Sequence, residues 1–268
     1  MKKNLLIFGV ALIVLSFTAY GFINKSEVVE EPVEALVDDK KMYPEPIEEK
    51  KEFKVFDDFI YEIGPRFGTI TKKELLKATS IKDFIPEEQI NWIETLKLVS
   101  VIIFKDEKRS DIRANGTTFE LNEEQLELIK SFDLSTSFVI NAEYLQKNYE
   151  TGQMEGSQST PHLTLVPEKQ AEYVMGFDAL KYFFKKNTEE ARVGVDPKNL
   201  KPAKLMFIVS KDGTIKDAKL DRSSNYPRVD KKMLELIYKT PGEWLPAENE
   251  NGEYVEQELV VSFGLMGC

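Results

Sequence analysis

Cysteine and histidine are almost absent from this chain of 268 residues, which contains one of each, Cys268 and His162. A single cysteine cannot form an intramolecular disulfide. A single histidine excludes zinc sites with several histidine ligands and proteases of the H-E-x-x-H type. The chain also lacks the patterns G-x-x-x-x-G-K-[ST] and G-x-G-x-x-G, which cradle nucleotide phosphates.

Paired carboxylates are present, but each pair consists of sequence neighbours, as in Asp57-Asp58 and Glu123-Glu124. Neighbouring side chains on a helix or strand point in different directions, so these pairs are typical of solvated faces. We therefore predict that the protein is not an enzyme and that it has no catalytic residue, no metal ligand and no cofactor.

Clusters of basic residues are missing as well, and the net charge is −10. Phosphate binding requires clustered lysine and arginine, so we expect no nucleic-acid partner. Residues 25–52 hold five Lys against ten Asp and Glu, a charge of −5 that makes up half of the total. This segment also contains three prolines and no sustained apolar period, which predicts a linker over residues 25–52.

One long apolar run lies near the start of the chain, from Leu5 to Ile23, and Lys2 and Lys3 precede it. Its length is close to the roughly 20 residues that a helix needs to cross a membrane. The charges on its two sides place the N-terminus in the cytoplasm and the rest outside. Residues 1–24 are thus predicted to be a membrane anchor. The alternative is a signal peptide cleaved near Ala19-Tyr20-Gly21, which would leave an exported soluble protein.

Residues 53–170 show a mixed pattern that predicts a separate small α+β domain. Thr71 with Glu74, and Asn122 with Gln125, have the spacing of capping boxes, so each pair predicts the start of a helix. Asn115-Gly116 predicts a hairpin turn. We predict strands over Val55–Ile63, Leu96–Phe104 and around Phe138–Ala142, and a loop over Tyr149–Thr160.

Residues 171–268 predict a second domain with the order helix, strand, strand, helix, strand. The first helix carries an apolar stripe through Phe177, Leu180 and Phe184. Asp212-Gly213 predicts the turn between two strands, because glycine accepts positive φ. The second helix begins at Pro227, and an alternating strand closes the domain.

This order resembles the TonB C-terminal domain, and about 35% of the chain carries the resemblance. The matching pieces are GFDALKYFFKKN (176–187), AKLMFIVSKDGTIKDAKLDRSSN (203–225), VDKKMLELIYKTPGEWLPA (229–247), NGEYV (251–255) and ELVVSFGL (258–265). The resemblance implies an antiparallel sheet with helices on one face. It also implies a single-pass protein of the inner membrane, with its body in the periplasm.

The resemblance further implies a mechanism and partners. TonB-type proteins transmit proton-motive force to outer-membrane transporters, as in siderophore transport, and their final strand accepts an extended peptide along its edge. The implied partners are an outer-membrane transporter or another envelope protein, and an inner-membrane proton-channel complex of the ExbB/ExbD type. The predicted partner-binding edge strand consists of Glu256, Gln257, Glu258, Leu259, Val260, Val261, Ser262 and Phe263. The alternative is that this edge is covered within the chain or by a second copy.

Two positions in the membrane segment bear on energy coupling. The family has a histidine one turn from a serine in this helix, whereas here Ser16 is followed by Tyr20. Ser16 and Tyr20 are the residues predicted to contact the membrane complex. Because the histidine is missing, a second role stays open: a structural or assembly module of the envelope that is not energised. The sequence also leaves a homodimer open.

The middle region resembles the C-terminal module of the periplasmic rod protein of Bacteroidetes gliding and type IX secretion. The residues concerned are GTITKKELLKATSIKDFI (68–85), LVSVIIFKD (98–106) and NGTTFELNEEQLELIKSF (115–132). This second resemblance implies a protein-contact module in the periplasm and a Bacteroidetes source.

Overall fold

Residues 54–265 are described by a computed structural model, and they form an α+β protein with antiparallel sheets and six α-helices. The helices are α1 (Lys72–Leu75), α2 (Glu87–Ile90), α3 (Glu123–Lys130), α4 (Phe177–Asn187), α5 (Glu189–Arg192) and α6 (Pro227–Ile237). The longer strands are β1 (Ile60–Gly64), β2 (Gly68–Thr71), β3 (Thr95–Lys105), β4 (Lys108–Gly116), β5 (Ser137–Lys147), β6 (Met154–Ser159), β7 (His162–Val166), β9 (Ala203–Val209), β10 (Ile215–Arg222) and β14 (Gln257–Gly264). Four two-residue strands complete the set, namely β8 (Glu172–Tyr173), β11 (Trp244–Leu245), β12 (Ala247–Glu248) and β13 (Tyr254–Val255).

The C-terminal sheet has four strands in the order β1, β14, β9, β10, and all neighbours are antiparallel. Alternate residues of β9, including Leu205 and Phe207, are fully buried. They share one core cluster with Leu180 of α4 and Met233 of α6. From α4 to β14 the major elements follow the predicted order of helix, strand, strand, helix, strand.

The second sheet is built from the middle of the chain, in the order β2, β7, β5, β3, β4, with β6 also paired to β5. The β2–β7 pair is parallel, and the other pairs are antiparallel. Helices α1 and α3 contribute Leu75 and Ile129 to the core of this sheet, where both are buried beside Val101 and Ile140. Residues 54–265 therefore contain two apolar cores within one compact unit.

The two capping boxes are confirmed. Thr71 caps α1 and Asn122 caps α3, each with reciprocal hydrogen bonds to Glu74 and Gln125, respectively. Both boxes are local interactions that span three residues, which explains why sequence spacing predicts them correctly.

Two local predictions are wrong. Asn115-Gly116 is the end of β4, paired with Ser100 and Val99, and the hairpin turns at Asp106 and Glu107 instead. Both turn residues adopt positive φ without being glycine. The loop predicted for 149–160 contains β6, whose alternation is masked because most of its side chains are polar or small.

Strand β1 lies in the predicted middle domain by sequence but belongs to the C-terminal sheet, so a division at residue 170 does not separate the two sheets. Helices among residues 54–265 are too short or too polar to span a membrane. The predicted anchor over 1–24 and the predicted linker over 25–52 lie outside the described residues.

Candidate protein-interaction site

The predicted partner-binding strand is β14, and the structure places it inside the sheet. Its residues 257–263 pair with β9, and its residues 260–264 pair with β1 on the other side. The prediction that this strand forms a free edge is therefore wrong. The physical reason is that residues 60–64 satisfy the backbone groups that a partner strand would otherwise pair.

The part of β14 beyond the end of β1 is also closed. The amide of Glu258 donates to the hydroxyl of Ser135 at 3.0 Å. The side-chain oxygen of Gln257 accepts from the Ala171 amide at 2.6 Å, and its nitrogen donates to Gln170. Loops from both sheets thus cap the stretch that β1 does not reach.

The side chains of β14 divide between the two faces as the alternation indicates. Leu259, Val261 and Phe263 are buried in the C-terminal core. Glu256, just before the strand, is exposed and pairs with Lys216 at 2.6 Å. Glu258 and Ser262 lie half-buried on the opposite face, which is turned away from the core cluster.

Strand β1 is held in the sheet by aromatic side chains. Phe59 and Tyr61 are both buried, and their ring centroids lie 5.3 Å apart. The Tyr61 ring stacks on Phe184 of α4, and its hydroxyl lies 2.5 Å from the Thr188 hydroxyl. Burial raises the pKa of Tyr61. Burying two such rings stabilises the docked strand by about 1.5–3 kcal/mol each.

A buried arginine fixes the segment that leads into β1. Arg192 has no exposed surface, and its guanidinium donates to the Phe56 carbonyl and to the Lys185 carbonyl. Its Nε also donates to the Thr188 hydroxyl at 3.3 Å. Because these acceptors belong to the β1 segment and the α4–α5 junction, Arg192 ties the two together.

A cluster of ion pairs, the Arg66 cluster, joins the two sheets immediately after β1. Arg66 pairs with Glu107 in the β3–β4 turn, with Asp221 of β10 and with Glu258 of β14. Lys204 of β9 also pairs with Glu107, at 3.5 Å. The Arg66 side chain is only 10% exposed, so this network is screened far less than a surface pair.

The pKa values in the Arg66 cluster reflect its partial burial. Burial opposes the charge of Arg66, but hydrogen bonding and Coulomb attraction from Asp221 and Glu258 hold its pKa above the ordinary value. Burial lowers the pKa of Lys204, and Glu107 offsets part of that shift. A charged network of this kind favours one fixed arrangement of the two sheets around β1.

The Asp212-Gly213 turn contacts the segment that contains Trp244. Gly213 has φ +79°, and a Cβ added there would clash with the backbone oxygen of Trp244. Trp244 is buried against Tyr173, Phe177 and Phe207. Two pieces of sequence, 203–225 and 229–247, therefore contact each other through Gly213 and Trp244.

We expect Gly213→Ala to lower the free energy of unfolding more than Gly252→Ala does. Gly252 has φ +74° with no atom near an added Cβ. Its replacement by alanine therefore measures only the cost of placing an L-residue at positive φ, which is about 1–2 kcal/mol. The clash at Gly213 should add about 1–3 kcal/mol. Urea denaturation of both variants measures the difference, and equal losses would show that the turn does not pack against Trp244.

The carboxylate of Asp212 organises the same turn. It accepts hydrogen bonds from the Ser210 hydroxyl, the Thr214 hydroxyl and the Thr214 amide, and these lower its pKa from 3.8 to about 2. A pKa lowered by folding means that this contribution to stability is present above pH 3.8 and is lost as the pH falls toward 2.

We expect Ser210→Ala to move the pKa of Asp212 from about 2 toward 3.8, because the Ser210 hydroxyl is the largest cause of the shift. An NMR pH titration of the Asp212 carboxyl carbon measures both proteins. A wild-type midpoint near 3.8 would contradict the hydrogen-bonded turn.

The other sequence-predicted positions fall elsewhere. Ser16 and Tyr20 lie outside the described residues. His162 begins β7, where its ring packs against Phe67 and Phe104. Within residues 54–265, no group of three or more His, Cys, Asp and Glu side chains is placed to hold a metal ion.

Sequence reasoning missed Arg66 and the role of β1. The alternation around Tyr61 predicts a strand but carries no information on its pairing partner, which lies about two hundred residues away. Arg66 follows Gly64-Pro65 and carries no local sign of its three partners. Comparison of the chain with protein-family models, curated proteins and solved structures gives no match.

Proposed function

We propose that the chain is an envelope protein that binds other proteins through a TonB-like C-terminal module. The observation that carries the proposal is the arrangement of β9, β10 and β14 with α4 and α6, in the order that the resemblance implies. The contact between the Asp212-Gly213 turn and Trp244 adds support, since both belong to the quoted pattern.

In this proposal the partner contributes an extended segment that pairs with β14, and β1 leaves that position first. Strand addition needs unpaired N–H and C=O groups, which β14 offers only once residues 60–64 have moved. The incoming segment must then supply apolar side chains in place of Phe59 and Tyr61, because their sites would otherwise be empty. In this proposal the arrangement with β1 paired to β14 is the closed state.

The proposed location is the inner membrane, with a single span through residues 5–23 and the body in the periplasm. Ser16 and Tyr20 would contact a proton-channel complex of the ExbB/ExbD type, and an outer-membrane transporter would be the partner at β14. An exported soluble form after signal cleavage is the alternative location.

The closed edge of β14 favours a second candidate function, that of a structural or assembly module without energy coupling. A module whose acceptor strand is already paired on both sides is suited to permanent contacts through its outer surfaces. Growth on a scarce iron chelate after deletion of the gene separates the two roles. Impaired uptake supports energy transduction, and unchanged uptake supports the structural role.

A reversible disulfide between β1 and β14 tests the exchange directly. Glu62 and Ser262 are register partners, and Cα atoms of such antiparallel pairs lie within disulfide range. We expect the variant Glu62→Cys with Ser262→Cys, in a Cys268→Ser background, to capture an outer-membrane transporter from membrane extract only when reduced. The Cys268→Ser protein alone is the control and should capture it in both redox states.

Equal capture by the oxidised and reduced double variant would mean that the partner binds away from β14. No capture of a β-barrel transporter by the control, under conditions where a TonB domain captures one, would contradict the transducer role.

A further inference from the structure

Strand β6 has one edge that no other strand among residues 54–265 pairs with. Within residues 54–265, β5 is its one partner strand. The Asn148 amide donates to the Gln153 carbonyl, and hydrogen-bonded pairs then alternate along the ladder. It follows that the backbone N–H and C=O groups of residues 155, 157 and 159 point toward β5. The backbone N–H and C=O groups of Met154, Gly156 and Gln158 point away from it, and no described residue bonds to them.

Two longer edge strands of the described region, β4 and β10, carry protective features that β6 lacks. β4 is rich in charged residues, including Lys108, Arg109 and Arg113, and its pairing with β3 is irregular. β10 has two register shifts in its pairing with β9. β6 reads MEGSQS, pairs without a shift, and contains no lysine and no proline. Proteins normally block such edges, so an unprotected one indicates a place for strand pairing.

Concavities lie on both faces of the β5–β6 ribbon. One, of about 1070 Å³, is lined by Tyr144, Gln146, Glu155, Ser157 and Ser159 of the ribbon and by the segment around α2. The other, of about 430 Å³, includes Lys97, Glu143, Leu145, Gly156 and Gln158. Side chains of a strand alternate between faces, so a strand added to β6 would place successive side chains in the two concavities.

The larger concavity, here called the Trp92 groove, has a defined chemistry. Trp92 is 48% exposed and Tyr149 is 84% exposed at its wall. Three carboxylates line it, from Glu94, Glu150 and Glu155, against the single cation of Lys147. Exposed aromatic rings beside carboxylates suit cationic side chains, which can stack on the rings and pair with the acids.

We propose that β6 and the Trp92 groove form a second binding site, which takes an extended segment of another protein with Lys or Arg at alternate positions. The backbone of that segment pairs with Met154, Gly156 and Gln158, and its cations enter the groove. The chain's own linker over 25–52 carries a charge of −5, so it is a poor occupant. This site is separate from β14 and does not depend on the proposed function.

Fluorescence anisotropy with the full-length chain tests the site. The probe is a labelled nonapeptide in which lysine alternates with tyrosine and valine. Two control peptides accompany it, one with glutamate in place of lysine and one basic peptide with its three central amides N-methylated. We expect both controls to bind about tenfold more weakly, or not at all, since each removes interactions worth about 1.4 kcal/mol or more.

Two matched variants of β6 locate the binding. Gln158→Pro removes an edge N–H without breaking the bonds to β5, and Gln158→Thr keeps the N–H while replacing the same side chain. We expect the proline variant to lose about tenfold in affinity and the threonine variant to bind as the wild type. Circular dichroism verifies that both variants are folded. The N-methylated peptide tests the backbone pairing on the wild-type protein, without any substitution in β6.

Equal binding of the basic and N-methylated peptides would overturn strand pairing, and equal binding of the basic and acidic peptides would overturn the charge preference. A concentration-dependent dimer in analytical ultracentrifugation that Gln158→Pro abolishes would show instead that a second copy occupies the edge.

Discussion

Replacing Tyr61 by alanine is expected to lower the free energy of unfolding of residues 51–268 by about 3–5 kcal/mol, the loss typical of a large aromatic ring removed from a core. Tyr61 is 5% exposed, lies between Phe59 and Phe184, and shares a hydrogen bond with Thr188. A loss of this size is expected only if β1 is packed on the C-terminal core, because the apolar cluster that contains Tyr61 is that core. Urea denaturation gives the value.

Two neighbouring substitutions serve as controls for Tyr61→Ala. Tyr61→Phe keeps the ring and removes only the hydroxyl, so the expected loss is about 1 kcal/mol. Glu62→Ala alters an exposed residue that pairs with Lys181, and the expected loss is below about 0.5 kcal/mol. If Tyr61→Ala cost no more than Glu62→Ala, strand β1 would not be docked on the core.

Replacing Arg66 by alanine is expected to lower the free energy of unfolding by about 3 kcal/mol, at the lower end of the range for breaking a buried ion pair. Three carboxylates, from Glu107, Asp221 and Glu258, would lose their shared cation. Asp221 is 11% exposed, so water cannot fully replace the lost partner. Lys204 would remain near Glu107 and Lys219 near Asp221, and both limit the loss.

Arg66→Lys is the matched control for the geometry of the Arg66 cluster. It keeps the charge but replaces a planar fork with a point charge, so it cannot serve three carboxylates at once. We expect a loss between the wild type and Arg66→Ala, and we expect Asp221→Asn to recover part of the stability of Arg66→Ala. A loss below about 0.5 kcal/mol for Arg66→Ala would mean that the cluster behaves like an ordinary surface pair.

The elements that the sequence predicts well are those that local interactions define. The capping boxes at Thr71 and Asn122 span three residues, and the stripe through Phe177, Leu180 and Phe184 repeats at the helical period. The Asp212-Gly213 turn also has local causes, namely the positive φ of Gly213 and the hydrogen bonds of Asp212 to Ser210 and Thr214. Each of these patterns lies within one short segment, so it can be recognised without knowing which distant residues pack against it.

Strand pairing is where sequence reasoning fails. The residues around Tyr61 predict a strand, but the choice of β14 as partner depends on Phe184, Thr188 and Arg192, which hold the segment from the far side. Such contacts join residues more than a hundred positions apart. The same limit explains the edge predicted for 256–263, because alternation describes the faces of a strand and not its neighbours.

The turn between β3 and β4 shows a different limit. Asn115-Gly116 has the stronger local preference for a hairpin turn, yet the chain turns at Asp106 and Glu107 with φ of 48° and 60°. Six residues of β4 then pair with β3, and Glu107 in the turn reaches Arg66. The tertiary pairing outweighs the backbone strain of two residues, which is about 1–3 kcal/mol each.

Amide hydrogen exchange along β14, followed by NMR, tests most directly whether β1 closes this strand. The Glu258 amide faces away from β9, toward Ser135, so by alternation the amides of Val260 and Ser262 face β1. The predicted result is slow exchange at Val260 and Ser262, similar to that of Leu259 and Val261, which face β9. Rapid exchange at Val260 and Ser262, with Leu259 and Val261 still protected, would show a free edge and contradict the closed arrangement.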